Sequence, residues 1–370
     1  MRILHIGKYA SPTFGGIERY LFELVQVQQE QGHDVCVFAA GEYDSSMTMP
    51  TRCLGALAGV PITPYMFRDL SRLIATFSPD VIHVHMPTLL ALPLLQCRKG
   101  KIIVHWHSDV VIGESPLLFR MSYRLYRRYE LWLLRNASAI IATSESYRQA
   151  SLPLVSFAHK TQIIPLGVLL DTEQGKCGVE KKRMACELPS GTKTILCVGR
   201  HVPYKGFEDA IGALRFLPEE VTISFVGEGG LTEALQGLVK QYDLQHRVHF
   251  LGHVSDAVLQ QQLHQADVLC VPSKNRHEAF GMVVLEAMRV GLPVLAADVQ
   301  GSGLPELVRT NEIGELFPVG AQKTLAEKLM MLLGDDLLRQ KYSSNGYRRI
   351  HHYDLRVLSN KIEKVYERFV

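Results

Sequence analysis

The chain has 370 residues, 47% apolar and 21% charged, with 40 Lys and Arg against 37 Asp and Glu for a net charge of +3. That length exceeds one ordinary hydrophobic core and fits two domains, and the composition excludes a disordered chain. It also excludes a generally basic nucleic-acid binder, because the positive excess is confined to residues 1–170, which hold 16 Lys and Arg against 12 Asp and Glu.

Met1-Arg2-Ile3-Leu4-His5-Ile6-Gly7 reads as a strand entering a glycine turn, not as a basic start before a long apolar signal segment. Apolar stretches such as residues 89–95 fall far short of the roughly 20 needed to span a bilayer, so a cytoplasmic location is expected. After this strand comes Phe14-Gly15-Gly16-Ile17-Glu18-Arg19. The glycine pair lets the backbone approach a phosphate or an acceptor, with Gly16 as the candidate contact. It is not the G-x-G-x-x-G fingerprint, which argues against a dehydrogenase. A helix over 18–31 closed by Gly32, a buried strand over 34–39, a helix near 65–77 and strands over 80–84 and 101–105 give the rhythm of a parallel, doubly wound sheet.

His107, in Val104-His105-Trp106-His107-Ser108-Asp109, follows a strand end, where open α/β sheets place ligand groups. His83, His85, His105 and His107 could be drawn as a metal set, but alternate positions in neighbouring strands fit core packing better, so neither a metal nor a cofactor is expected. From Ser115-Pro116 a helix runs to Arg135. At 100° per residue Arg120, Arg124, Arg127, Arg128 and Arg135 share an arc of about 100°, interleaved with Leu117 and Leu131. Such a face suits anionic headgroups or a lipid-linked diphosphate; an ordinary solvated face is the plain alternative.

The first domain is expected to close with strands over 139–144 and 161–165 and to end at residue 170. Residues 171–192, with Glu180-Lys181-Lys182-Arg183, read as a linker. Alternation restarts at Thr194 and continues through strands over 221–226, 247–251, 268–271 and 293–296 in a second domain of residues 193–352, before a last helix over about 355–369. Thr194-Ile195-Leu196-Cys197-Val198 ends at Gly199, which puts Arg200 and Lys205 on the loop after a buried strand. A planar fork beside a compact ammonium suits phosphate oxygens. Gly227 ends another strand, as a plain turn or as a nucleotide contact.

Pro272-Ser273-Lys274-Asn275-Arg276-His277-Glu278-Ala279-Phe280-Gly281-Met282 leads into the apolar segment that holds Glu286. Eight helical residues rise about 12 Å, so Glu278 and Glu286 could grip the two ends of an extended ligand such as a nucleotide sugar. The amides of Ala279, Phe280 and Gly281 near the helix start suit a diphosphate. Glu286 sits among Val283, Val284, Leu285, Ala287 and Met288, where an unpaired carboxylate would be expensive. The seven cysteines lack any C-x-x-C pair and read as reduced core residues.

These motifs, with the strand Asp80-Val81-Ile82-His83-Val84-His85 and the turn Val226-Gly227-Glu228-Gly229, make the chain resemble the retaining glycosyltransferases of family 4 over nearly its whole length. The resemblance implies a GT-B fold: two Rossmann-like, doubly wound α/β domains facing each other across a cleft. The first would bind the acceptor and the second the nucleotide sugar, and residues 353–370 would cross back to the first. It implies transfer of a hexose, with retention, from a nucleotide diphosphate sugar to a lipid-linked or saccharide acceptor in surface-polysaccharide or lipopolysaccharide synthesis. The site would be peripheral to the inner membrane face, and Gly-Arg-x-Val-Pro-Tyr-Lys-Gly tilts the donor toward GDP-mannose over UDP-hexoses.

Arg200 and Lys205 would then stabilise the departing diphosphate, Glu278 and His107 would lie by the sugar, and Glu286 would accept ribose hydroxyls, without a divalent ion. The chain departs from the family where Ser302 separates Gly301 from Gly303 and where Pro165-Leu166-Gly167 replaces Pro-Asn-Gly. Two other readings share the fold: an isomerase like the nucleotide-sugar 2-epimerases, and a silent donor-binding partner in an assembly complex.

Overall fold

The computed structural model describes residues 1–10, 15–41, 48–57, 60–96, 100–110, 117–170 and 191–370, without the side chains of 117–122. Phe14, the Ser115-Pro116 cap, the Arg120 side chain and all but the end of the expected linker lie outside the described residues. The chain forms two compact units, Met1–Leu169 with Tyr353–Val370, and Leu170–His352.

In the first unit the order is β1 (Arg2–Tyr9), α1 (Gly16–Glu30), β2 (Asp34–Ala40), β3 (Thr48–Thr51), β4 (Ala56–Leu57), β5 (Val60–Pro61), α2 (Met66–Phe77), β6 (Val81–Met86), β7 (Lys101–Trp106), α3 (Leu117–Asn136), β8 (Ala139–Ala142), α4 (Glu145–Ala150), α5 (Leu152–Val155) and β9 (Thr161–Ile163). Seven of the strands form one parallel sheet in the order β3-β2-β1-β6-β7-β8-β9. Every residue of β6 is buried, as a strand covered on both faces requires. The sequence pattern missed β3. It is an edge strand with Met49 and Pro50 exposed, and proline fits an edge because its missing N–H is not needed there.

The second unit runs β10 (Lys193–Val198), α6 (Phe207–Leu214), β11 (Val221–Val226), α7 (Thr232–Gln241), β12 (Val248–Phe250), α8 (Asp256–Gln265), β13 (Val268–Val271), α9 (Met282–Arg289), β14 (Val294–Ala297), α10 (Gly303–Asn311), β15 (Gly314–Phe317), α11 (Gln322–Gly334) and α12 (Asp336–Arg349). Its sheet has the order β12-β11-β10-β13-β14-β15, again parallel. Both sheets therefore reverse strand order once, at β1/β6 in the first unit and at β10/β13 in the second. The crevice outside the carboxyl ends of such strands is where open α/β sheets take ligands.

The last helix, α13 (Leu355–Tyr366), packs on α1. Ser359 Oγ donates to Gln31 Oε1 at 2.8 Å and Gln31 Nε2 donates to Asn360 Oδ1 at 2.7 Å. Backbone bonds Val168 N to Tyr353 O and Leu355 N to Val168 O, both 3.0 Å, hold the helix start against the end of the first segment. A Cβ on Gly167 would meet Tyr353 O and a Leu358 methyl at 2.7 Å, so the glycine is needed for this close approach. No helix among the described residues is long and apolar enough to cross a membrane. Cys36, Cys197 and Cys270 are buried and free.

Candidate active site

In the second unit, Lys205 leaves the end of β10 and Glu278 follows β13, so the two strands at the reversal supply opposite charges. Lys205 Nζ lies 2.6 Å from Glu278 Oε2, and Ser273 Oγ donates to the same oxygen at 3.1 Å. Lys205 is 9% exposed and Glu278 8%, so each carries the other's charge in a low-dielectric setting. Burial alone would lower the Lys205 pKa, but the Glu278 carboxylate and Tyr204 outweigh it and the ammonium is held above its ordinary range. Arg200, five residues before the lysine, is exposed.

Glycines make this geometry possible. Gly199, at φ 143°, lets the Lys205 stem cross the strand end; a Cβ there would meet Lys205 Cε at 2.8 Å. Gly206, at φ 65°, sits so close that a Cβ would meet Pro272 O at 2.1 Å. Gly227 packs on Gly199, whose carbonyl oxygen a Cβ would meet at 2.3 Å. Gly227 thus has a structural reason to be glycine, whether or not a nucleotide also touches it.

Glu278 is in the loop and α9 begins only at Met282, capped by Gly281 in the left-handed conformation. The expectation of eight continuous helical residues between the two glutamates is therefore corrected: only the second half of the interval is helical. Ala279, Phe280 and Gly281 directly precede the helix start. Glu286 is half-buried on α9 and already has a partner within the protein, so the cost of leaving it unpaired does not by itself argue for a ribose.

Sequence reasoning passed over Ser273 and the role of Ser302. Ser302 caps α10, accepting from Leu304 N at 3.1 Å, and its hydroxyl donates to the Glu278 carbonyl. Gly303 N adds a 2.8 Å bond to Ala279 O, so the start of α10 fastens the acidic loop. A serine just before Gly-Leu-Pro-Glu was the available signal. Beside this pair, a cavity of about 740 Å3 is lined by Lys274, Asn275, Arg276 and the ends of β14 and β15; Lys205 and Glu278 do not line it.

In the first unit, Gly15 caps α1 and Gly16 is its first, exposed residue. His107 follows β7 and is 2% exposed, with its N–H backbone bonded to Met86 O at 3.1 Å. The turn after it is tied by Asp109, whose Oδ1 accepts from Trp106 Nε1 at 2.9 Å and from Ser151 Oγ at 2.6 Å. Five histidines share one face of this sheet, since His5 pairs in register with His83, and His85 with His105. Their rings stack, and all are at most 2% exposed.

Burial depresses every one of them, to about 4 for His5 and about 3 for His107; for His83, His85 and His105 burial leads and the neighbouring imidazoles add to it. Nitrogens of His5, His83 and His85, and of His85, His105 and His107, come within 4.8 Å of one another.

The arginine face of α3 is smaller than the helical arc implies. Arg124, Arg128 and Arg135 are exposed, but Arg127 is half-buried and pairs with Glu130, a carboxylate with no exposure. A buried acid needs a counter-charge, and Arg127, three residues before it on the helix, provides one.

Comparison with known proteins places these features in one lineage. The family model for glycosyltransferase family 4 matches residues 14–172, and the model for glycosyl transferases group 1 matches residues 179–349. A phosphatidyl-myo-inositol mannosyltransferase of Mycobacterium leprae is 28% identical over 99% of this chain and 96% of its own length. The O-antigen chain mannosyltransferase C of Escherichia coli is 25% identical over 94% and 93%. Among solved structures, a sucrose-phosphate synthase from Thermosynechococcus elongatus superposes with a TM-score of 0.81 at 22% identity, covering 99% of this chain and 98% of that one, which shows the GT-B fold. With a family model on each half and full-length relatives that transfer sugars, the chain belongs to glycosyltransferase family 4 and is a glycosyltransferase.

Proposed function

We infer that the protein transfers a hexose, with retention, from a nucleotide diphosphate sugar to a lipid-linked or saccharide acceptor in surface-polysaccharide synthesis. The observation that carries this reading is the Lys205–Glu278 pair at the strand reversal of the second unit, with Arg200 exposed on the same loop. An arriving diphosphate offers Lys205 a second anionic partner and Arg200 a bidentate one, and both interactions strengthen as negative charge collects on the leaving phosphate.

The amides of Ala279, Phe280 and Gly281 at the start of α9 add donors for phosphate oxygens, with Gly16 and Gly227 as close backbone approaches. Glu278 accepts from hexose hydroxyls, Glu286 from the ribose, and His107 positions the sugar for the acceptor. No divalent ion or cofactor takes part. Retention without a placed nucleophile is accounted for by front-face displacement, in which the leaving phosphate helps take the acceptor proton.

GDP-mannose is the favoured donor, supported by the mannosyltransferase relatives. Exposed Arg124 and Arg128 on α3 favour an acceptor met at an anionic membrane surface. The test is thermal stabilisation by GDP, UDP, ADP and their sugars, since a ligand at 100 times its Kd adds about 2.7 kcal/mol. A shift with one base sets the donor for transfer assays on lipid-linked sugars, in which the anomeric configuration of the product reports retention. No shift with any nucleotide would sink the reading.

A further inference from the structure

The buried histidines of the first unit form a directed hydrogen-bond chain, and each link dictates the next. Gln28 Nε2 on α1 donates to the Tyr366 hydroxyl of α13 at 3.3 Å, which turns Gln28 Oε1 toward His5 Nε2 at 2.7 Å. An amide oxygen only accepts, so His5 Nε2 carries the proton and its Nδ1 is bare. His5 Nδ1 lies 2.9 Å from His85 Nε2, which must therefore donate, and that leaves His85 Nδ1 bare. His85 Nδ1 in turn lies 2.9 Å from His107 Nε2, so that nitrogen donates too. The chain ends at His107 Nδ1, which is buried and has no protein partner among the described residues. At the other end the Tyr366 hydroxyl also bonds His83 Nδ1; donating its proton there leaves its oxygen to accept from Gln28.

Each deduction requires neutral rings. Burial keeps His5 and His107 neutral down to about pH 4 and 3, respectively.

We propose that Gln28, acting through His5 and His85, holds His107 in its Nε2–H tautomer and so presents Nδ1 at the end of β7 as a hydrogen-bond acceptor. Gln28, His5 and His85 are positioning residues. Resting on the transfer reading above, the bare Nδ1 accepts from a sugar hydroxyl, and a protonated Nδ1 would repel that hydroxyl's hydrogen. A shared metal ion fits the cluster less well. His85 and His107 face each other across a 2.9 Å hydrogen bond, and the rings of His85, His105 and His107 lie within 23° of parallel, whereas metal ligands converge on one point. Tyr20 closes the stack edge-on against His105 and His107.

The test is a long-range 1H–15N spectrum of histidine-labelled protein near pH 7, with His107 assigned through His107→Gln. The expected signature is a pyridine-type Nδ1 and a pyrrole-type Nε2 on His107, retained in Gln28→Glu, whose carboxylate still accepts from His5, and lost to the other tautomer or to averaging in Gln28→Leu. A protonated Nδ1 in the native protein, or an unchanged signature in Gln28→Leu, overturns the proposal. So does stoichiometric Zn2+ in the purified protein that disappears in His85→Phe.

Calorimetry separates the functional half. Gln28→Leu is expected to bind the nucleoside diphosphate as the native protein does and the sugar nucleotide about tenfold more weakly, a difference of ~1.4 kcal/mol. Equal weakening or none overturns the contact to sugar. If the native protein binds no nucleotide, the transfer reading fails while the spectrum still decides the tautomer.

Discussion

On the transfer reading, the Lys205–Glu278 pair serves stability and chemistry together. Each is buried and each is the other's counter-charge, so removing one leaves an uncompensated charge worth about 3–5 kcal/mol. Lys205→Met is therefore expected to lose both turnover, by roughly a hundredfold or more, and thermal stability. Turnover and stability separate in the double variant Lys205→Met/Glu278→Gln, which should regain most of the lost melting temperature while remaining inactive. A double variant that recovers activity with its stability would show that the pair is structural only. Gly206→Ala is predicted to be the more damaging change in the same loop, because its φ of 65° and the Pro272 carbonyl 2.1 Å from a Cβ leave no relaxed position; its melting temperature should fall well below that of Gly230→Ala, where a Cβ meets nothing within 4 Å.

At the level of elements, one helix start and one helix face put the proposed function to the test. The α10 start holds the acidic loop through Ser302, whose hydroxyl both caps the helix and donates to the Glu278 carbonyl. Ser302→Ala should cost about 1 kcal/mol by denaturant titration, as a lost cap does. It should also loosen Glu278, so that turnover falls more than stability explains, whereas Ser255→Ala, which removes the α8 cap on Val258 N, should affect stability alone. Among the described side chains of α3 the exposed charges are Arg124, Arg128 and Arg135, since Arg127 is engaged by buried Glu130. If that face meets anionic lipid, Arg124→Glu/Arg128→Glu should weaken sedimentation with phosphatidylserine vesicles, and the native binding should weaken as salt rises. Vesicle binding that is indifferent to both would assign the face to solvent.

On the scale of the whole molecule, five buried histidines give the first unit an acid sensitivity, to which burial of His201 adds in the second. An unfolded histidine titrates near 6.5, but in the fold His5 and His107 do so only at about 4 and 3, so the unfolded chain binds more protons between these values. Stability is therefore complete above pH 6.5 and falls as pH drops through that window, by about 2 kcal/mol per histidine between 6.5 and 5. Both tryptophans, Trp106 and Trp132, lie in the first unit. Their fluorescence should report unfolding at pH 5 at a lower temperature than at pH 7, ahead of the total helix signal; coincident transitions that do not move with pH would contradict this.

The alternation of apolar runs and helical spacing was enough to read two parallel, doubly wound sheets, because strands covered on both faces must be apolar throughout. The glycine-basic and glutamate motifs were legible because backbone approach and charge placement at strand ends need particular residue types. The Lys205–Glu278 contact, the Ser302 tether and the Gln28–His5–His85–His107 chain were not legible. They join residues that are distant in sequence, and only strand order and register bring them together.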